Sequence, residues 1–371
     1  MKNVMLNSNK LKMNLQLFAD GDKSIFGLVT APEIAAYWET KAQGLPPYLG
    51  EELFPNDKQL GTDIKWLKGQ SGAPKALLPS AVGARAIPRG RKEFDQVLTT
   101  LGFFKESKYI DEDLRQQLNL VLASGNQLFI DTLLSKIFDD VAELIAGAAV
   151  TREIARMSLL TTGTTVLEGN GQKYELDYEF NKDHIGHAKV SWSDTNAADP
   201  FYDIQAGIER IQLDTGETPT RAVTNLMTLR KIIANTKLNK TISVFGGGDI
   251  ILSTQKVIDY FRSELGIDIV LYDKIYEEPG TGNTKKFVPD DKFVLLPPAP
   301  VGRTVFGTTP EESDLMTQTN VANVSIVDTG VAVTTSMQAD PVNVETKASM
   351  FTMPTFEGME KVFILNAVAK P

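Results

Sequence analysis

Residues 267–297 read Ile-Asp-Ile-Val-Leu-Tyr-Asp-Lys-Ile-Tyr-Glu-Glu-Pro-Gly-Thr-Gly-Asn-Thr-Lys-Lys-Phe-Val-Pro-Asp-Asp-Lys-Phe-Val-Leu-Leu-Pro and restrict the fold more than any other stretch. Ile267, Ile269 and Leu271 fall at every second position, the period of a strand with one buried face. Gly280-Thr281-Gly282-Asn283 supplies a turn, because glycine reaches positive φ without strain. After Phe287-Val288-Pro289-Asp290-Asp291 a second apolar run follows, Phe293 to Leu296. The pattern predicts a hairpin or meander closing one side of a sheet. Gly280 and Gly282 would take the turn. Pro289 would stand at the start of a strand, where its missing N–H removes no ladder bond. Asp290 and Asp291 would accept local backbone hydrogen bonds.

One helix signal dominates the rest. Between 126 and 158, Ile130, Leu133, Leu134, Ile137, Val141, Leu144, Ile145 and Ala148 recur at three- and four-residue spacing, with Asp139, Asp140 and Glu143 largely opposite. About 30 residues at 1.5 Å each make a rod of about 45 Å. Shorter helices are expected at 31–40, at 201–213 before Gly216, at 226–234 behind Asn225 as cap, and at 254–265 before Gly266. Strands are expected at 173–180, 184–192, 221–224, 242–245, through the alternation Val321 to Val333, and at 362–365. Residues 1–60 are otherwise weakly periodic and carry Pro32, Pro46, Pro47, Gly50 and Pro55, which reads as an extended arm ordered by neighbours.

Charge is unevenly placed. The chain has 38 Lys plus Arg against 47 Asp plus Glu, net −9, a poor balance for general DNA binding. Yet residues 61–92 hold Lys65, Lys68, Lys75, Arg85, Arg89, Arg91 and Lys92 against Asp63 alone, net +6, which leaves −15 for the remainder. Glycines and prolines break any helix there, so the segment is a functional loop or a disordered one. Trp66 is its one aromatic residue, which argues against stacking on single-stranded nucleic acid. Electrostatic docking onto acids such as Asp139, Asp140 and Glu143 fits better. Cysteine is absent, so disulfides and thiolate metal sites are excluded. Asparagines interrupt the apolar residues of the first 19 positions, and no stretch approaches a spanning helix.

The strand, glycine turn, Phe-Val-Pro-Asp-Asp and second strand of 267–297 resemble the lambda-type phage major capsid protein family (major capsid protein E). Its members share the α+β fold of the Hong Kong 97 phage capsid protein. The resemblance implies an N-terminal arm at 1–60, an extended loop at 61–100, and a peripheral domain with a spine helix at 101–200. It further implies an axial domain at 201–317 and a return to the peripheral domain, as C-terminal β segments, at 318–371. It implies self-assembly into hexamers and pentamers of an icosahedral head that encloses double-stranded DNA without reading its sequence. Implied partners are a portal, a separate scaffold protein and, in some relatives, a decoration protein. Such a protein is made in the host cytoplasm, ends in the virion, and needs no cofactor, metal or catalytic residue. A shell of encapsulin type around a protein cargo shares the fold and is the alternative.

A nucleotide-using enzyme is the remote alternative, and two motifs raise it. His184-Ile185-Gly186-His187 spells the signature of class I aminoacyl-tRNA synthetases, but an alternating strand follows where that family has a helix. The same histidines, three apart, make a weak zinc pair. Gly246-Gly247-Gly248-Asp249 could cradle a phosphate, yet it matches neither dinucleotide nor P-loop spacing. A loop of the axial domain is the plainer reading.

Overall fold

The computed structural model describes residues 29–68, 95–110, 112–124, 126–169, 171–243, 252–278, 281–317, 323–339 and 342–370. In chain order these form α1 (Ala31–Ala42), α2 (Leu49–Leu53), β1 (Asn56–Lys58), β2 (Asp63–Lys68), β3 (Asp95–Thr100), β4 (Gly102–Ile110), α3 (Glu112–Ser124) and α4 (Gln127–Thr162). Next come β5 (Thr164–Gly169), β6 (Gln172–Asp177), β7 (Ile185–Ala188), α5 (Pro200–Thr215), β8 (Arg221–Thr224), α6 (Leu226–Ile233), α7 (Thr236–Ile242) and α8 (Thr254–Leu265). The last are β9 (Asp268–Leu271), β10 (Ile275–Glu277), β11 (Thr284–Lys286), β12 (Lys292–Leu296), β13 (Thr304–Phe306), α9 (Pro310–Thr317), β14 (Asn323–Val327), β15 (Val331–Ala339), β16 (Val342–Pro354) and β17 (Phe363–Ala369).

Local chemistry sets the helix ends. Thr30 and Glu33 form a reciprocal capping box, so Pro32 opens α1 instead of breaking it. Asp199, Asn225 and Ser253 cap α5, α6 and α8 by accepting from backbone N–H groups. Gly216 and Gly266 end α5 and α8 in the left-handed region. The long helix α4 outruns its expected end at 158. Thr161 and Thr162 donate their hydroxyls back to the Met157 and Ser158 carbonyls at 2.7 Å, and Gly163 at φ +78° stops the helix. At 242–245 the expected strand does not begin. Asn235 accepts from the Lys237 and Leu238 amides and starts α7, which runs through Ile242, while 244 and 245 lie outside the described residues.

The chain forms two compact units and passes between them five times, three of them inside β4, α4 and β16. The first takes in 1–45, 105–146 and 310–349. Its antiparallel ladder runs β14–β15–β16, with Val327 opposite Val331 and Ala332 opposite Ser349. Helix α1 lies on β14 and β15, burying Ala31, Ile34 and Trp38, and the Trp38 indole donates to Asp328 at 3.1 Å. The first half of α4 buries Leu134, Ile137, Phe138, Val141, Leu144 and Ile145. Within the stretch expected to be a loose arm, Val29, Ala31, Ile34 and Trp38 are therefore core, because α1 has an apolar stripe of its own to bury.

The second unit takes in 46–104, 147–309 and 350–371. Its larger sheet has the order β7-β17-β12-β8-β9, with parallel pairs β7–β17 and β8–β9 flanking antiparallel pairs. Around it a core gathers Trp192, Ile204, Ile211, Leu229, Phe261 and Phe293. A second core joins Leu53, Phe54, Met157, Leu160, Val301, Val305 and Phe356 beside β1, β13 and the end of β16.

Two expectations change here. The runs 267–271 and 293–296 are both strands of this sheet, but β8 lies between them; the hairpin is β10–β11, with Ile275 opposite Lys286 and Glu277 opposite Thr284. Alternation marks a strand without naming its partner, and the parallel β8–β9 pair needs a crossover, which α6 to α8 supply. The closing strand β17 was expected beside the other C-terminal β segments. It sits instead between β7 and β12. Its consecutive buried Phe363, Ile364 and Leu365 suit a strand covered on both faces.

Candidate assembly surfaces

The turn at 287–291 is held by side chains from elsewhere in the second unit. Asn225 donates through Nδ2 to the Val288 carbonyl at 3.1 Å and to Asp290 Oδ1 at 2.7 Å, while its Oδ1 caps α6 at Thr228. Lys286 also donates to Asp290 Oδ1 at 2.7 Å, and this bond, with Asn225, holds the Asp290 carboxyl below the usual range against the opposing effect of burial. Asp291 adopts φ +65°, a region tolerated by Asp. Its amide donates to the Thr228 hydroxyl at 2.9 Å and its carboxylate pairs with Lys231. Both acids thus bind side chains across the unit, where the sequence suggested local backbone bonds. Pro289 precedes the Asp290–Asp291 turn, three residues short of β12. Gly282 has φ +69°, as a turn glycine should; Gly280 lies outside the described residues.

The basic segment has a defined stem. β2 and β3 pair antiparallel from Asp63↔Thr100 to Lys68↔Asp95 and form a separate two-stranded sheet. Lys65 and Lys68 are on β2, whereas Lys75, Arg85, Arg89, Arg91 and Lys92 fall in the connection outside the described residues, as do Gly246, Gly247 and Gly248. On α4, Asp139, Asp140 and Glu143 are all exposed. Two of them already have partners in the first unit. Lys41 donates to Asp139 at 2.5 Å and the Tyr37 hydroxyl donates to the same carboxylate at 2.8 Å; Lys108 pairs with Glu143. The Lys41 and Lys108 hydrogen bonds hold these two carboxyls below the usual range. Burial, then Asp139, pushes the Tyr37 phenol up to about 12. Each ion pair uses one carboxylate oxygen.

The two histidines do not converge. His184 is buried, with Nδ1 2.9 Å from the Val362 carbonyl and Nε2 2.9 Å from Asp214 Oδ2. Burial pushes the Asp214 carboxyl up, but hydrogen bonds from His184 and Arg210 outweigh it and hold the group low. His187 is exposed on β7. His184 therefore ties the start of β17 to the end of α5. An open cleft of about 610 Å³ lies between Tyr48, Glu51, Glu52, Tyr272 and Lys274. Much of its polar lining is spent on structure: Glu52 pairs with Arg221, Asp273 caps α6 at Leu226, and Lys274 donates to the Pro46 and Pro47 carbonyls.

One cluster had no reading in the sequence. In the second half of α4, Arg152, Glu153 and Arg156 are buried. Glu153 Oε1 accepts from the Gly50 amide at 3.1 Å and the Tyr272 hydroxyl at 2.7 Å, and its Oε2 is 3.7 Å from Arg156. Arg156 donates to Thr304 Oγ1 at 2.7 Å and Asn56 Oδ1 at 2.8 Å. Burial raises the Glu153 carboxyl and lowers the Arg156 guanidinium to about 10. A Cβ on Gly50 would lie 2.3 Å from Glu153 Oε2, so glycine is required there. The node ties α4 to α2, β1, β13 and the chain after β9. The available signal was Thr151-Arg-Glu-Ile-Ala-Arg156, the one charged turn in the half of α4 from 144 to 162.

Solved structures with similar folds include three capsid or phage-related proteins. A protein assigned as a prophage capsid protein of Escherichia coli CFT073 superposes with a TM-score of 0.58 at 16% identity, covering 91% of this chain and 99% of its own. A phage-related protein of Bordetella bronchiseptica RB50 gives 0.55 at 15%, covering 92% and 98%. The capsid subunit of cyanophage A-1(L) gives 0.51 at 11%, covering 87% and 92%. The architecture is thus the α+β fold of Hong Kong 97-type capsid proteins. No curated protein sequence matches. The family described as phage major capsid protein E matches residues 30–365. This chain belongs to the phage major capsid protein E family.

Proposed function

We propose that the chain is the shell subunit of a tailed-phage head, associating as hexamers and pentamers around double-stranded DNA. Its family membership over nearly the whole length carries the reading. The role is mechanical, and the buried polar groups described above are engaged in holding the fold. On this reading α2, β1, β13 and the second half of α4 belong to a peripheral body, and the β7-β17-β12-β8-β9 sheet with α5 to α8 is the axial body. The β2–β3 hairpin is the extended loop, and its cations dock on acids of a neighbour. Asp140 and the second oxygens of Asp139 and Glu143 are the receiving groups. A portal and a separate scaffold protein complete the head, which is assembled in the host cytoplasm; among the described residues no helix is long and apolar enough to cross a membrane.

Sedimentation velocity of purified protein, with nuclease-protected nucleic acid measured in the fast fraction, tests this. Large particles that protect DNA are expected when the phage's packaging proteins are present. Particles filled with a protein cargo would move the chain to the encapsulin reading, and a monomer under all conditions would refute both. Reversing Arg89, Arg91 and Lys92 to Glu should slow assembly without unfolding the subunit. Normal assembly of that variant at low salt would end the docking idea.

A further inference from the structure

Residues 218–248 hold Arg221, Arg230, Lys231, Lys237 and Lys240 and no acid at all. With this run at +5 and residues 61–92 at +6, the rest of the chain carries −20. Two of the five cations are consumed internally: Arg221 bonds Glu52 and the Pro297 carbonyl, and Lys231 pairs with Asp291. The other three are exposed, Arg230 on α6 and Lys237 and Lys240 on α7. Lys237 lines a small cleft with Lys189, whose ammonium sits 4.0 Å from the centre of the Tyr202 ring. Two acids line the cleft as well: Asp199, 3.6 Å from Lys237, and the buried Asp203, which accepts from the Trp192 indole at 2.9 Å. Among the described residues the Arg230 side chain has only the Met227 sulfur, at 3.8 Å, as a polar contact, and Lys240 has no acidic partner. Cations in the last turn of a helix favour its carbonyl end. That explains Arg230 and Lys240 singly, but not the exclusion of acids from the whole run in a chain with 47 of them.

Resting on the shell reading above, we propose that this α6–α7 face is a contact surface for a carboxylate-bearing face of a second copy of the chain. Rings closed by a repeated head-to-tail contact bring together two different patches of one sequence. A chain with its charge separated into basic runs and an acidic remainder carries both halves of such a contact. Duplex DNA is the other polyanion at hand. The presence of Asp199 among the cations fits a protein face, where both signs interleave, better than a phosphate track.

The test compares wild-type subunits with Arg230→Glu/Lys240→Glu and Arg230→Gln/Lys240→Gln by sedimentation velocity at about 0.05 M and about 0.5 M salt. The reversal should cut the ring and shell fraction about tenfold at low salt, with the Gln pair between it and wild type. Urea unfolding should be unchanged. Wild-type assembly by the reversal at low salt overturns the proposal. If the reversal fails to fold, wild-type assembly by the Gln pair overturns it instead. Normal shells that no longer protect DNA would also overturn it, giving the face to DNA. Absence of assembly in the wild type would instead refute the shell reading itself.

Discussion

Glu153→Ala should be among the most damaging single truncations of α4. Glu153 and Arg156 have 0% and 1% side-chain exposure, so water cannot replace what either loses. Removing the carboxylate strips the Gly50 amide and the Tyr272 hydroxyl of their acceptor and leaves a guanidinium buried without its counter-charge. Breaking a buried pair from one side costs about 3–5 kcal/mol. Arg156 keeps Thr304 and Asn56, which places this case toward the lower end. With a urea slope of about 3 kcal/mol per molar, the midpoint falls by about 1 M or more. The assay is urea unfolding of dissociated subunits followed by tryptophan fluorescence. Glu153→Leu/Arg156→Met should recover much of the loss, because an apolar pair of similar volume carries no unpaired charge. A Glu153→Ala midpoint within about 0.3 M of wild type, or a double variant as poor as the sum of its singles, would refute the reasoning.

Asp290→Asn with Asp291→Asn should leave particles forming, since Asn keeps the turn and tolerates φ > 0. Gly282→Val at φ +69° should cost about 1–3 kcal/mol in a urea melt; particle loss in the Asn pair, together with calcium rescue of wild-type shells from a chelator, would assign these acids a metal instead. Asp290 and Asp214 have folded carboxyls below their ordinary value. Their stabilisation is therefore complete above the unfolded pKa of about 3.9 and is lost as pH falls through the folded values, so wild type should lose stability faster than Asp290→Asn below about pH 4. Parallel pH curves would contradict this. Deleting residues 1–28, which spares the Thr30 cap, should leave cooperative unfolding intact and impair assembly; loss of cooperativity in the truncated subunit would show that the segment belongs to the core.

Helices α5, α6 and α8 were legible because their ends are written in neighbouring residues: Asp199 and Gly216, Asn225, Ser253 and Gly266 each act within one turn, whereas α2, α3, α7 and α9 were not expected. Some strands, such as β6, β8 and β17, were legible as alternation or short apolar runs, while β4, β5 and β13 were not, and partners were legible nowhere. Nothing local in Ile267–Leu271 reveals that β8 intervenes before β12, or that β17 would enter the middle of that sheet. The site residues divide the same way. Gly282 is set by its own backbone, whereas the partners of Asp290 and Asp291 come from 225, 228, 231 and 286. The Glu153 node was hidden because Arg-Glu-Ile-Ala-Arg reads as a solvated helical turn until Gly50, Tyr272 and Thr304 are folded onto it.

Cryo-electron microscopy of the assembled protein tests the central claim most directly. A closed icosahedral shell of hexamers and pentamers, with the β2–β3 hairpin of each subunit lying across its neighbour, is the predicted result. Particles lacking that inter-subunit contact, or a chain that stays monomeric at concentrations and salt that favour association, would contradict it.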